Sequence, residues 1–140
     1  MSLNTVLDIA GSGLTAESRR MSTSASNMAN ANVESSNAGD TYRAQYPVFQ
    51  AVQEDANKWI NTKLEAGVVV SGIYESDAQP IMRYDPNNPV ADKDGYVYVP
   101  NISYVEEMAN MISASRSYQM DLQIISSAKQ LIQRTLQLGQ

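Results

Sequence analysis

The 140-residue chain contains no cysteine and no histidine. These absences remove disulfides, thiol nucleophiles, histidine general bases and most zinc, copper or iron sites. Charge is scarce at 18%, and the balance is −5, with arginines and lysines scattered singly. No basic cluster exists to neutralise a phosphate backbone, so nucleic acid is not an expected partner. Long apolar runs are also missing, and no segment is apolar enough to span a membrane. The opening MSLNTVLDIAGSG has no positive residue before Arg19, unlike a Sec-type signal. If the chain leaves the cytoplasm, it uses another route. So little charge is unusual for long free helices and implies a surface largely covered by partners.

What is present is helical periodicity at both ends. From Ser103 to Leu138 there is neither proline nor glycine. Val105, Met108 and Ile112, then Tyr118, Leu122 and Ile125, then Ile132 and Leu136 recur at helix-face spacing. A second stripe runs through Ile124, Ala128, Leu131 and Leu138. Two adjacent stripes make a face too wide for a two-stranded seam, so the helix is expected to touch more than one neighbour. Ser103 and Glu106 fit a capping box, and Lys129 and Arg134 lie towards the negative helix end. About 36 residues at ~1.5 Å each span roughly 54 Å. A compact chain of this size has a radius of gyration of about 14 Å. The molecule is therefore elongated, or the helix serves an assembly.

Residues 3–32 form a second helical segment. Leu7, Leu14, Met21 and Met28 repeat every seven residues, with Leu3 and Ala10 at the alternating position. Such a seam implies supercoiling against a partner helix. Gly11 and Gly13 weaken it, and the polar residues at 22–37 compete for its backbone hydrogen bonds. Six buried seam residues contribute ~1.5–3 kcal/mol each. Ordering some 30 residues costs about 1–2 kcal/mol per residue. The segment is expected to fray in the free subunit and to order on docking.

Residues 33–41 read as loop. Tyr42, Ala44, Tyr46 and Val48 alternate as a strand that Pro47 restricts to an edge or irregular ribbon. GVVVSGIY (67–74), residues 80–84 and YVYV (96–99) are further strands, with turns at DPNNP and ADKDG. Residues 53–66, including Trp59, carry no clear pattern. The expected fold is mainly α with a small β module. Residues 1–32 and 103–140 pair antiparallel as one discontinuous helical domain, and a β-rich insert, 33–102, hangs from one end.

Candidate chemistry is thin. Asp92, Asp94 and Gly95 suggest part of a calcium loop, but Val90 and Asn101 stand where ligands are needed, so a hairpin turn is the better reading. Glu106 and Glu107 point about 100° apart on a helix and suit a cap and dipole partner, not an acid–base pair. The serines lack a base, Lys58 and Lys129 lack dyad spacing, and the Gly11/Gly13 pair follows no strand. The tyrosines suit a half-buried sheet or an interface. No catalytic residue, metal or cofactor is expected. A structural subunit that polymerises through its terminal helices and a helical adaptor with one protein partner both remain open.

Residues 11–36, GSGLTAESRRMSTSASNMANANVESS, resemble the N-terminal signature of the bacterial flagellar rod and hook protein family. Its asparagine pattern is carried by Asn27 and Asn30, with Asn32 following. EMANMISASRSYQMDLQIISSAKQLIQRTLQLG resembles the matching C-terminal signature. YDPNNPVADKDGYVYVPNIS is similar to the segment typical of proximal-rod members, and the short chain length also suits them. A histidine common near Asn88 and a threonine common near Val33 are absent. The resemblance implies a non-enzymatic, torque-transmitting subunit of the basal-body rod, in the periplasm, exported unfolded through the flagellar type III apparatus. It implies homo-oligomeric contacts, other rod proteins, a rod-base adaptor and the membrane ring as partners. Terminal helices would then pack side by side. The implied interface residues are Leu3, Leu7, Ala10, Leu14, Met21 and Met28 on one helix. On the other they are Met108, Ile112, Tyr118, Leu122, Ile124, Ile125, Leu131, Ile132 and Leu136.

Overall fold

In a computed structural model the described residues are 3–52 and 66–138. Trp59, Lys58 and their neighbours lie outside them. The element order is α1 (Leu3–Asn30), β1 (Gln45–Val52), β2 (Gly67–Glu75), β3 (Ile81–Tyr84), β4 (Tyr96–Val99) and α2 (Tyr104–Leu138). The expected arrangement of two long terminal helices around a small β insert is therefore present.

At 35 residues, α2 is about 52 Å long. Its start is the expected one: Ser103 Oγ accepts from the Glu106 N–H at 3.4 Å. The two helices run antiparallel. Arg20 meets Asn110, Gly13 faces Asp121, and Leu3 and Leu131 line one trough. The buried apolar residues of this pair are Ala10, Ala16, Ala114 and Ala128. Small side chains let the backbones approach, but they leave a thin core.

β1 and β2 form an antiparallel hairpin with a register shift between Val48 and Phe49. The first strand begins three residues later than the alternation at Tyr42 suggests. Pro47 sits inside β1 opposite Ile73, as a two-stranded ribbon with open edges permits.

The hairpin does not hang from the end of the helix pair; it lies along α1. At one end the Val68 N–H donates to Ser12 Oγ at 3.0 Å. At the other, Gln45 bonds to Asn27. Those anchors are about 22 Å apart along the helix. The physical reason is that an isolated hairpin is marginal in water and needs a surface to pack on. Gly67 permits the close approach, since a Cβ there would lie 2.5 Å from Ser12 Oγ.

The second ribbon, β3 with β4, packs on neither helix among the described residues. It is tied to the loop after α1 instead. Ser35 and Tyr98 exchange two backbone hydrogen bonds of 2.9 Å, and Glu34 accepts from Arg83 and Asn88. The ADKDG segment makes the expected turn. Asp92 Oδ1 accepts from the Asp94 and Tyr96 N–H groups, and Gly95 holds φ +81°. The Asp92 carboxylate thus serves its own backbone.

Candidate functional site

The sequence-derived interface residues occupy two helix faces, and most are open in the single chain. On α1, Ala10 is buried, Leu7, Leu14, Met21 and Met28 are half-buried, and Leu3 is exposed. On α2, Met108, Ile112, Leu122, Ile124, Leu131 and Leu136 are exposed, while Tyr118, Ile125 and Ile132 are half-buried. Within the chain, α2 packs mainly against α1, over alanines, and meets β1 near Glu107 and Asn110, so much of its wide apolar face is left uncovered. Near the α1 N-terminus both helices border an apolar trough of about 510 Å³. Leu3, Val6, Met120, Ile124, Ala128 and Leu131 line it.

The asparagine motif has a role that neither interhelical bonding nor simple helix termination describes. Asn27 is fully buried. Its Nδ2 donates to the Gln45 carbonyl at 2.9 Å, and its Oδ1 accepts from the Gln45 N–H at 2.9 Å. One side-chain amide thereby acts as a strand partner for one residue of β1. Oδ1 also accepts from the Tyr42 hydroxyl, which lies 3.2 Å from Ser26 Oγ. Asn30 turns back to its own helix, donating to the Ser26 carbonyl at 2.8 Å. Asn32 is exposed beyond the helix end. Spacing alone could not pair Asn27 with Gln45, because nothing local in the sequence links a helix interior to a strand 18 residues on.

Glu107 stands in the first turn of α2 as expected, and it is also 2% exposed and hydrogen-bonds the Tyr46 side chain. One of its oxygens, Oε2, has no hydrogen-bond partner among the described residues. A glutamate in the first helical turn ordinarily indicates a cap, so no sequence signal marked this one as buried. Tyr46 titrates above its usual value of 10.0, first because of burial, then because of the Glu107 charge and hydrogen bond and the Glu106 charge. A raised folded-state pKa means that the stabilising contribution is complete below the unfolded value and is lost as pH rises through the folded value. Stability is therefore expected to fall on the alkaline side of pH 10. Tyr46→Phe should flatten that loss in urea melts across the range, and an unchanged alkaline slope would contradict this role.

Two family matches cover the helical ends. Residues 7–34 match the flagella basal body rod protein family. Residues 93–138 match the flagellar basal body rod FlgEFG protein C-terminal family. Among curated relatives, the flagellar basal-body rod protein FlgC of Salmonella typhimurium is 44% identical over 140 residues, covering all of both chains. FlgC of Aquifex aeolicus is 39% identical over 137 residues, 98% of this chain and 97% of its own. FlgC of Buchnera aphidicola subsp. Acyrthosiphon pisum is 36% identical over the full length of both. Asn27 and nearly all of both helices lie within the two matched regions, and the chain belongs to the FlgC family of flagellar basal-body rod proteins.

Proposed function

We infer that this chain is a structural subunit of the flagellar basal-body rod, and that it enters the rod through the outward apolar faces of α1 and α2. The observation that carries this reading is the exposure of Leu122, Ile124, Leu131 and Leu136 along one long helix. At about 100° per residue Leu122 and Leu136 lie on one flank of the helix and Ile124 and Leu131 on the other, and exposed apolar rows of that kind mark interaction sites. Covering a leucine or isoleucine is worth roughly 1.5–3 kcal/mol, so a few such contacts outweigh the loss of subunit freedom. The partners are copies of this chain, neighbouring rod proteins, and the adaptor and ring at the rod base. A stiff two-helix layer splinted by the β1–β2 hairpin transmits torque without any pocket or catalytic group. The periplasmic rod is its location, reached through the flagellar type III route, which suits helices held together by so thin a core.

Mass spectrometry and electron microscopy of basal bodies purified with and without the gene test this. The chain should co-purify, and its loss should leave membrane rings without a rod. Complete rods in its absence would overturn the reading.

A further inference from the structure

The two ends of the helix pair are built differently. Over most of their length α1 and α2 meet through buried alanines, Ala10 and Ala16 on one helix and Ala114 and Ala128 on the other. At the α2 N-terminus the buried side chains are all polar. Between Arg20 and Asn30 the buried residues of α1 are Thr23, Ser24 and Asn27, and between Tyr104 and Ser113 the buried residue of α2 is Glu107. The Thr23 hydroxyl serves its own helix, lying 3.1 and 3.0 Å from the Arg19 and Arg20 carbonyls. The direct polar contact between the helices here runs from Arg20 Nη2 to Asn110 Oδ1. At 3.5 Å it stands beyond the usual range of a hydrogen bond. Arg20, Thr23, Ser24, Tyr46, Pro47 and Asn110 border a niche of about 220 Å³, so the helices do not close on each other there.

The first strand spans that gap. Asn27 of α1 bonds both backbone polar groups of Gln45. The next residue, Tyr46, is hydrogen-bonded to Glu107 of α2. Two consecutive residues of β1 are thus held from different helices, by side chains that are 0% and 2% exposed. We propose that the start of β1 is the joint through which the N-terminal third of α2 is set on α1, with Asn27 and Glu107 as its positioning residues. The paired amide bonds fix the orientation of Gln45, and therefore of Tyr46, against α1. Glu107 in turn depends on Tyr46, since its Oε2 has no hydrogen-bond partner among the described residues. A buried carboxylate that loses its partner is strongly disfavoured, so this end of α2 stays where the strand is held. Met108 and Ile112 lie beside Glu107 on the same stretch of helix, and both are exposed. The joint therefore sets the direction of two apolar side chains on the outward face.

The absence of cysteine allows clean spin labelling of two pairs. Ala25→Cys with Ser113→Cys reports on the joint, and Asp8→Cys with Ser126→Cys reports on the alanine-packed end; all four positions are exposed. Double electron–electron resonance on the purified full chain should give a narrow distance distribution at the joint. The Asn27 side chain hydrogen-bonds Gln45 and Tyr42 and no residue of α2, and alanine is the better helix former. Asn27→Ala should nevertheless broaden the joint distribution towards longer distances and leave the other pair unchanged. Tyr46→Phe, which keeps α1 and its amide intact, should do the same. An unchanged joint distance in either variant would overturn the proposal, because the helices would then hold each other directly. A broad joint distribution in the chain carrying labels alone would also overturn it. So would broadening of both pairs, or loss of helical circular dichroism, since the contacts would then support the whole fold rather than this end. These distances are read on the free chain and do not depend on its entry into a rod.

Discussion

Replacing Asn27 by alanine is expected to cost about 3 kcal/mol of stability. Three hydrogen bonds disappear together: two to the backbone of Gln45 and one from Tyr42. Each net hydrogen bond is worth about 1 kcal/mol, and a buried group left unpaired costs about 1–3 kcal/mol. Gln45 and Tyr42 are only half-buried, so their freed groups are partly resolvated and the sum stays below the additive maximum. For a chain of this size the loss corresponds to a fall of about 10 °C in the melting temperature. Asn27→Asp keeps the acceptor for Tyr42 and for the Gln45 N–H. It removes the donor and sets a carboxylate against the Gln45 carbonyl, so it should not rescue. Thermal and urea melts of the purified chain check this. A change within ~0.5 kcal/mol, the scale of ordinary surface substitutions, would show that the hairpin is held by other contacts.

Leu122→Asp should behave in the opposite way, leaving the subunit intact and abolishing its use. Leu122 is 45% exposed in the single chain, so the substitution should change the monomer by less than ~0.5 kcal/mol. Once a neighbour covers that face, an unpaired carboxylate costs roughly 3–5 kcal/mol. That is a loss of more than ~100-fold in association, with 1.4 kcal/mol per tenfold. Cells carrying only this variant should be non-motile although the protein is folded and present. Leu122→Met conserves volume and should swim normally. Normal motility with aspartate would place the assembly surface elsewhere.

Sequence periodicity made the helices legible because a helix face repeats locally. The span of α2 and its Ser103 start follow directly from the proline-free run and the cap. The heptad of α1 was legible as a pattern but not as burial. Leu7, Leu14, Met21 and Met28 are only half-buried and Leu3 is exposed, since a neighbour that packs through alanines encloses them incompletely. The β insert shows the limit most clearly. Turn-bounded runs located β2, β3 and β4, but the anchoring of the hairpin depends on Ser12 with Val68 and Asn27 with Gln45. These are isolated long-range side-chain-to-backbone contacts without any periodic trace. The burial of Glu107 has no local trace for the same reason, since its partner Tyr46 comes from a distant strand.

The most direct test of assembly through the helix faces is a photo-crosslinking amino acid at Leu122 or Leu131 in motile cells. The predicted result is covalent adducts between this chain and another protein subunit, lost when Leu131 or Leu122, respectively, is replaced by aspartate. Adducts confined to the chain itself, in cells that still swim, would contradict the account.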